Sequence, residues 1–150
     1  MGERPTIGEY LERMRGTYER LSPAAARDAI ADGAILVDTR CTEQREADGY
    51  VPGSVHIPLS VLYWRLDPTS GYDRADASGR DRRLILMCAH GYSSSIAAAT
   101  LRQLGFDGAT DVVGGFEGWA AAGLPVERLS GPQPDPFAVP TRDAGETRSR

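Results

Sequence analysis

The sequence contains no lysine: all 17 of its basic residues are arginine. That excludes a Schiff-base lysine and the lysine of a phosphate-binding P-loop. Cysteine and histidine are nearly as scarce, with only Cys41, Cys88, His56 and His90. None of the four falls at the close paired spacing of a zinc site, so no metal is expected. No apolar run approaches the roughly 20 residues that cross a bilayer. The polar start Met1-Gly2-Glu3-Arg4-Pro5-Thr6 has neither the apolar stretch nor the cleavage site of a secretory signal. A cytoplasmic location is the expectation, and there two cysteines are more often thiols than a disulfide. A net charge of -4 offers no basic face for nucleic acid.

The chain is 150 residues long and 41% hydrophobic, enough for one domain with its own core. Thr6-Ile7-Gly8-Glu9 reads as a capping box, and a helix is predicted to follow to about Leu21. Ser22-Pro23 supplies an N-cap and a first-turn proline for a second helix over residues 24–31, ending near Gly33. Ala34-Ile35-Leu36-Val37-Asp38 and Arg83-Leu84-Ile85-Leu86-Met87 are short apolar runs bounded by polar residues, the pattern of buried strands. Residues 110–113 form a third, and Val55-His56-Ile57-Pro58 a short edge strand closed by proline. Helices are predicted over 43–48, 59–66, 94–104 and 116–122, and a turn-rich surface loop over 67–82. From about Leu129 four prolines fall between Pro132 and Pro140, followed by a small, charged end. That segment reads as a disordered tail. The expected divisions are an N-terminal helical extension (1–21), a folded domain (22–128) and the tail (129–150).

Strands alternating with helices give an α/β layer with a mostly parallel sheet. Ligand sites in such sheets form beyond the carboxyl ends of strands. Cys88 stands there, at the head of Cys88-Ala89-His90-Gly91-Tyr92-Ser93-Ser94. A helix N-terminus offers unpaired N–H groups and positive partial charge, which favour a thiolate. Such a thiolate can attack sulfur, or carry an outer sulfur as an anionic persulfide. Gly91 lets the backbone turn close to it, and Tyr92 and Ser93 to Ser95 add hydroxyl donors. The plainer alternative is a small buried core thiol.

Several motifs stand together in order. They are Val37-Asp38-Thr39-Arg40, Gly49-Tyr50-Val51-Pro52-Gly53-Ser54-Val55-His56-Ile57-Pro58, the Cys88 loop, and Gly114-Gly115-Phe116-Glu117-Gly118-Trp119. From about Leu21 to Val126 the chain resembles the rhodanese-like domain family. The resemblance implies a three-layer fold whose central, mostly parallel sheet is flanked by helices. It also implies a sulfurtransferase or sulfur carrier working through a Cys88 persulfide, with Ala89, His90, Gly91, Tyr92, Ser93 and Ser94 as the substrate-binding loop. Asp38 and Arg40 are expected to support that loop. The implied partners are a small sulfur donor, thiosulfate or a persulfide, and a thiol acceptor; no organic cofactor is implied. Tyr50 replaces the family's histidine, and Ser93 stands where sulfurtransferases carry a loop arginine. A serine offers one hydroxyl where arginine offers a fork of donors for an oxyanion. The same loss opposes phosphatase chemistry, which needs Cys-x5-Arg, since no arginine lies between Cys88 and Arg102. A non-catalytic binding or redox-sensing module is the alternative reading. Cys41, just past a strand end, is a candidate resolving thiol or an unrelated one. Phe116 and Trp119 are expected in the core, and His56 in a structural role.

Overall fold

The computed structural model describes residues 4–138. Four strands, β1 (Ile35–Asp38), β2 (Val55–His56), β3 (Leu84–Met87) and β4 (Ala109–Asp111), form one parallel sheet in the order β2-β1-β3-β4. Side chains alternate across a strand, so consecutive apolar residues feed opposite faces. Val37, Leu84 and Leu86 pack into one core and Leu36, Ile85 and Met87 into the other. The first core is covered by α4 (Leu62–Leu66) and α5 (Ser93–Gln103), through Leu62, Leu66, Ala97, Ala98 and Leu101. The second lies under α2 (Pro23–Ala31) and α6 (Gly115–Ala121), through Ala26, Ala29, Phe116 and Trp119. Burial on both faces is why β3 is apolar throughout and β1 apolar up to its last residue, Asp38.

Local signals start the helices as expected. In α1 (Ile7–Arg15), Glu9 N–H donates to Thr6 Oγ1 (3.1 Å) while the Glu9 carboxylate accepts from the Thr6 amide. Ser22 Oγ caps α2 by accepting from the Ala25 amide, with Pro23 at the first position. A short helix, α3 (Thr42–Asp48), follows β1. Residues 59–66 divide into a 3-10 turn and α4.

The first helix is shorter than its sequence suggests. It ends at Arg15, capped by Gly16, and the chain then turns through residues 16–18 before it reaches the sheet. Leu21 N–H donates to Asp111 O (3.0 Å) and Val113 N–H to Leu21 O (2.8 Å), a parallel bridge beside β4. Two backbone bonds to an open sheet edge outweigh another helical turn. The consequence is that Tyr18 and Arg20 are delivered to the carboxyl end of β4. Beyond the other edge of the sheet, Tyr50 and Glu127 exchange two backbone hydrogen bonds. Of the segment read as a tail, residues 129–138 carry no helix or strand, and Arg65 Nη2 donates to Ala138 O (2.9 Å). Residues 139–150 lie outside the described residues. No helix among the described residues is long and apolar enough to cross a membrane.

Candidate active site

β3 is the central element that aims the site. Thr39 N–H donates to Met87 O (2.9 Å), so the carboxyl ends of β1 and β3 stop side by side and Cys88 is the first residue beyond them. The chain then turns through residues 89–92 into α5. Gly91 makes the turn at a φ of +86°, and a Cβ there would stand 2.9 Å from the amide nitrogen of Gly114. Phe116 N–H donates to Cys88 O and Glu117 N–H to Ala89 O. These bonds fasten the loop to the start of α6. Gly115 permits this approach, because a Cβ on it would fall 2.5 Å from Cys88 O.

The Cys88 Sγ accepts the Gly91 N–H at 3.1 Å and lies 3.2 Å from Ser94 Oγ. It is 7% exposed, at the base of an opening of about 310 Å³ lined by Thr39, Arg40, Leu59, His90, Tyr92 and Ser93. Burial pushes the thiol up. Hydrogen bonding from the Ser94 hydroxyl and amide, the Ser93 hydroxyl and the Gly91 amide outweighs that and holds Cys88 below the ordinary thiol value.

Ser94 has a choice to make. Its hydroxyl lies 2.8 Å from Asp111 Oδ2 as well as 3.2 Å from Sγ, and it has one proton. With the thiol protonated, S–H donates to Ser94 and Ser94 donates to Asp111. With the thiolate formed, Ser94 turns its proton to sulfur. Asp111 tolerates that loss because it is already well served. It is fully buried and accepts from Ser95 Oγ (2.8 Å), Tyr18 OH (2.7 Å) and the Arg20 guanidinium (2.9 and 3.1 Å). Burial and the Asp111 charge push the Tyr18 phenol well up, so it remains a neutral donor.

Arg20 Nη2 also donates to Gly91 O (3.1 Å), and Arg15 Nη2 donates to the same carbonyl at 2.6 Å. Arg15 Nε donates to Ser95 Oγ (3.0 Å). The extension before the sheet thus grips the turn of the Cys88 loop from outside. Sequence reasoning missed Arg15, Tyr18, Arg20 and Asp111. Arg15, Tyr18 and Arg20 reach partners 71 to 93 residues away in the chain, and Asp111 meets Ser94 and Ser95 from 17 and 16 residues away, so no local spacing marks them.

Asp38 and Arg40 form a buried pair, not a surface one. Arg40 Nε and Nη2 donate to the two Asp38 oxygens (3.1 and 2.8 Å), and Nη2 also donates to Gly49 O. Arg45 Nε lies 3.2 Å from the same carboxylate. The Arg40 guanidinium stacks over the Phe116 ring, 3.8 Å from its centre, and Phe116 is the residue whose amide holds Cys88 O. Its Nη1 has no acceptor among the described residues. His56 Nε2 donates to Arg40 O (2.7 Å), and burial holds this imidazole below its usual value, hence neutral. Tyr92 stands 62% exposed at the rim. His90 Nδ1 meets Glu117 Oε2 at 2.5 Å, also at the rim. Cys41 is exposed and free, Cys88 buried and free. Among the described residues no three of His, Cys, Asp and Glu are grouped to hold a metal.

Comparison with known proteins places this arrangement. Residues 22–122 match the model of the rhodanese-like domain. The chain belongs to the rhodanese-like domain family. The thiosulfate sulfurtransferase GlpE of Actinobacillus succinogenes is 34% identical over 118 residues, covering 78% of this chain and 97% of that protein. The GlpE protein of Pseudomonas paraeruginosa is 38% identical over 118 residues, covering 79% and 97%. Among solved structures, a Rhodopseudomonas palustris protein of unknown function, described as a possible tyrosine phosphatase, superposes with a TM-score of 0.75 at 29% identity over 85% of this chain and 98% of its own. The human single-domain sulfurtransferase TSTD1 superposes at 0.58 with 27% identity over 69% and 96%. These relatives support a rhodanese-like sulfurtransferase function, for which the fold provides a buried Cys88 at the carboxyl edge of the sheet.

Proposed function

We propose that Cys88 carries a sulfane sulfur between a small donor and a thiol acceptor. The Cys88 thiolate attacks the outer sulfur of a donor such as thiosulfate. The donor's S–S bond breaks, its electron pair leaves on sulfite, and Cys88–S–S⁻ remains. A second nucleophile then takes the outer sulfur and returns Cys88 to its thiolate, which is a ping-pong scheme. The observation that carries the proposal is the hydrogen-bonded environment of Sγ. Gly91 N–H and Ser94 stand beside the sulfur at the start of α5, where donors and helix polarity favour an anion.

Ala89 to Ser94 serve as the binding loop, and Asp38 and Arg40 support it through Phe116. Ser93 leaves the loop without a guanidinium, and although Arg40 lines the opening its charge is committed to Asp38, so thiosulfate, a dianion, finds little cationic support there. A persulfide donor, with less charge to neutralise, suits such a loop better. A cytoplasmic location accords with two free thiols.

Steady-state kinetics with thiosulfate and with a small-molecule persulfide test the scheme. Parallel double-reciprocal lines, abolished by Cys88→Ser, are expected. The persulfide is expected to give a KM at least about tenfold below that of thiosulfate, the value of one charge-assisted contact. Turnover that survives Cys88→Ser removes the proposal. No turnover with either donor leaves the binding or redox-sensing module that the missing arginine favours.

A further inference from the structure

The rim of the Cys88 opening holds a second reactive constellation, His90 and Glu117. His90 is two residues past Cys88 in the loop, and both line the same opening. Glu117 lies in the first turn of α6, and its backbone N–H is fixed to Ala89 O. That bond puts the carboxylate in reach of the imidazole, and Nδ1 meets Oε2 at 2.5 Å. In the neutral ring this contact sets the proton on Nδ1 and leaves the Nε2 lone pair free. A carboxylate fixing the tautomer of a histidine next to a nucleophile is the arrangement of general-base catalysis. Cys88 does not need this base. Its thiolate is already sustained by Ser94, Ser93 and Gly91, and the His90–Glu117 pair faces outward, with side chains 61% and 71% exposed. It adjoins a second cavity of about 650 Å³ that shares Arg40, Gln44, Ala89 and His90 with the opening.

We propose that His90, oriented by Glu117, is the general base for the acceptor thiol in the second half-reaction, resting on the persulfide reading above. The acceptor R–SH gives its proton to His90 Nε2. Its sulfur electron pair attacks the outer sulfur of Cys88–S–S⁻. The S–S bond breaks with its electron pair on Cys88 Sγ, and R–S–S⁻ leaves and collects the proton from His90 or from water. The acceptor class is a small thiol with an ordinary, mostly protonated sulfhydryl at neutral pH. His90 is the catalytic residue and Glu117 the positioning residue. The charged and titratable groups facing the pair are Arg40 after β1, Asp48 of α3, Tyr92 of the loop and the Cys88 sulfur itself.

The test compares two acceptors on enzyme first loaded with persulfide. A small alkyl thiol must lose a proton to become a nucleophile, whereas sulfite in alkaline buffer has none to lose. For His90→Gln and Glu117→Gln, the ratio of thiol-acceptor to sulfite-acceptor rates is expected to fall at least about tenfold below wild type, less than the roughly hundredfold low end of general-base catalysis because the pair is open to solvent. In His90→Gln the thiol rate is expected to follow only the ionisation of the free acceptor thiol, and Glu117→Asp to restore part of the ratio lost in Glu117→Gln. An unchanged ratio in both glutamine variants overturns the assignment. Should His90→Gln disturb the loop, Glu117→Gln, on an exposed side chain of another element, decides alone. Failure of wild type to load a persulfide also ends the proposal. It is told apart because it removes the first half-reaction, whereas failure of the dyad leaves loading intact and the acceptor ratio unmoved.

Discussion

Replacing Ser94 with alanine removes one hydroxyl between two anionic groups, with opposite consequences for each. Asp111 retains Ser95, Tyr18 and Arg20, so its burial remains compensated. Cys88 loses the side-chain donor that ranks first among the groups lowering its titration. A hydrogen bond to a charged group is worth about 1.5–3 kcal/mol. At about 1.4 kcal/mol for each pH unit, the full value raises the thiol by roughly one to two units. The observed shift belongs near the lower figure, because breaking the Ser94–Asp111 bond already costs part of the gain when the thiolate forms. The sign is definite. In wild type the thiolate forms below the ordinary thiol value, and in Ser94→Ala its formation moves to higher pH. The rate of iodoacetamide alkylation against pH measures the shift directly, and the sulfur-loading rate should move by the same amount. An inflection displaced by less than about 0.3 unit, well under the value of any charged hydrogen bond, would show that Ser94 spends its proton on Asp111 throughout. The stabilisation of Cys88 would then rest on the loop amides.

Other substitutions probe the scaffold. Arg20→Ala strips the buried Asp111 of its only guanidinium partner among the described residues, but the hydroxyls remain. A loss of about 2–4 kcal/mol in denaturant unfolding is expected, somewhat under the cost of breaking a buried pair outright, together with slower sulfur loading. Arg15→Ala frees Gly91 O of one donor and should cost about 1 kcal/mol while still slowing loading, since the turn loses a constraint. Asp38→Asn leaves Arg40 and Arg45 without their shared counter-charge. About 3–5 kcal/mol of stability is at stake, read by urea unfolding. Gly91→Ala forces a side chain into a left-handed turn against Gly114. A strain of about 1–3 kcal/mol is expected to fall on the loop, reducing loading by more than tenfold even where thermal unfolding still shows a cooperative fold. His56 is held below its usual value, so the folded protein binds fewer protons there than the unfolded chain. Stability is therefore lost as pH falls below the ordinary histidine range. His56→Gln should flatten that part of a stability-against-pH curve.

Much of the fold is legible in the sequence because its signals are local. The apolar run Leu84-Ile85-Leu86-Met87 is short and bounded by polar residues, the pattern of a strand buried on two faces, and its end puts Cys88 at the sheet's carboxyl edge. The caps at Thr6 and Ser22 are written within four residues of the helices they start. The loop Cys88 to Ser94 is contiguous, so its place between a strand end and a helix start is legible from sequence alone. What escaped is long-range. Leu21 looks like the last turn of a helix until the open edge beside β4 offers it two backbone bonds. Asp111 looks like an ordinary strand residue until Tyr18, Arg20, Ser94 and Ser95 converge on it. Glu117 carries no sign in sequence that it will meet His90, since the contact depends on α6 docking through Gly115 onto the Cys88 loop. Ser93 was legible as a missing guanidinium. That arginines of the N-terminal extension brace the same loop from behind was not.

Sulfur carried on Cys88 is visible by intact-protein mass spectrometry after incubation with thiosulfate or a polysulfide, on wild type and Cys88→Ser. A gain of one sulfur atom is expected in wild type alone, removed by cyanide. A folded, reduced wild-type protein that gains no sulfur from any donor, or a Cys88→Ser variant that gains it equally, would refute a Cys88 persulfide.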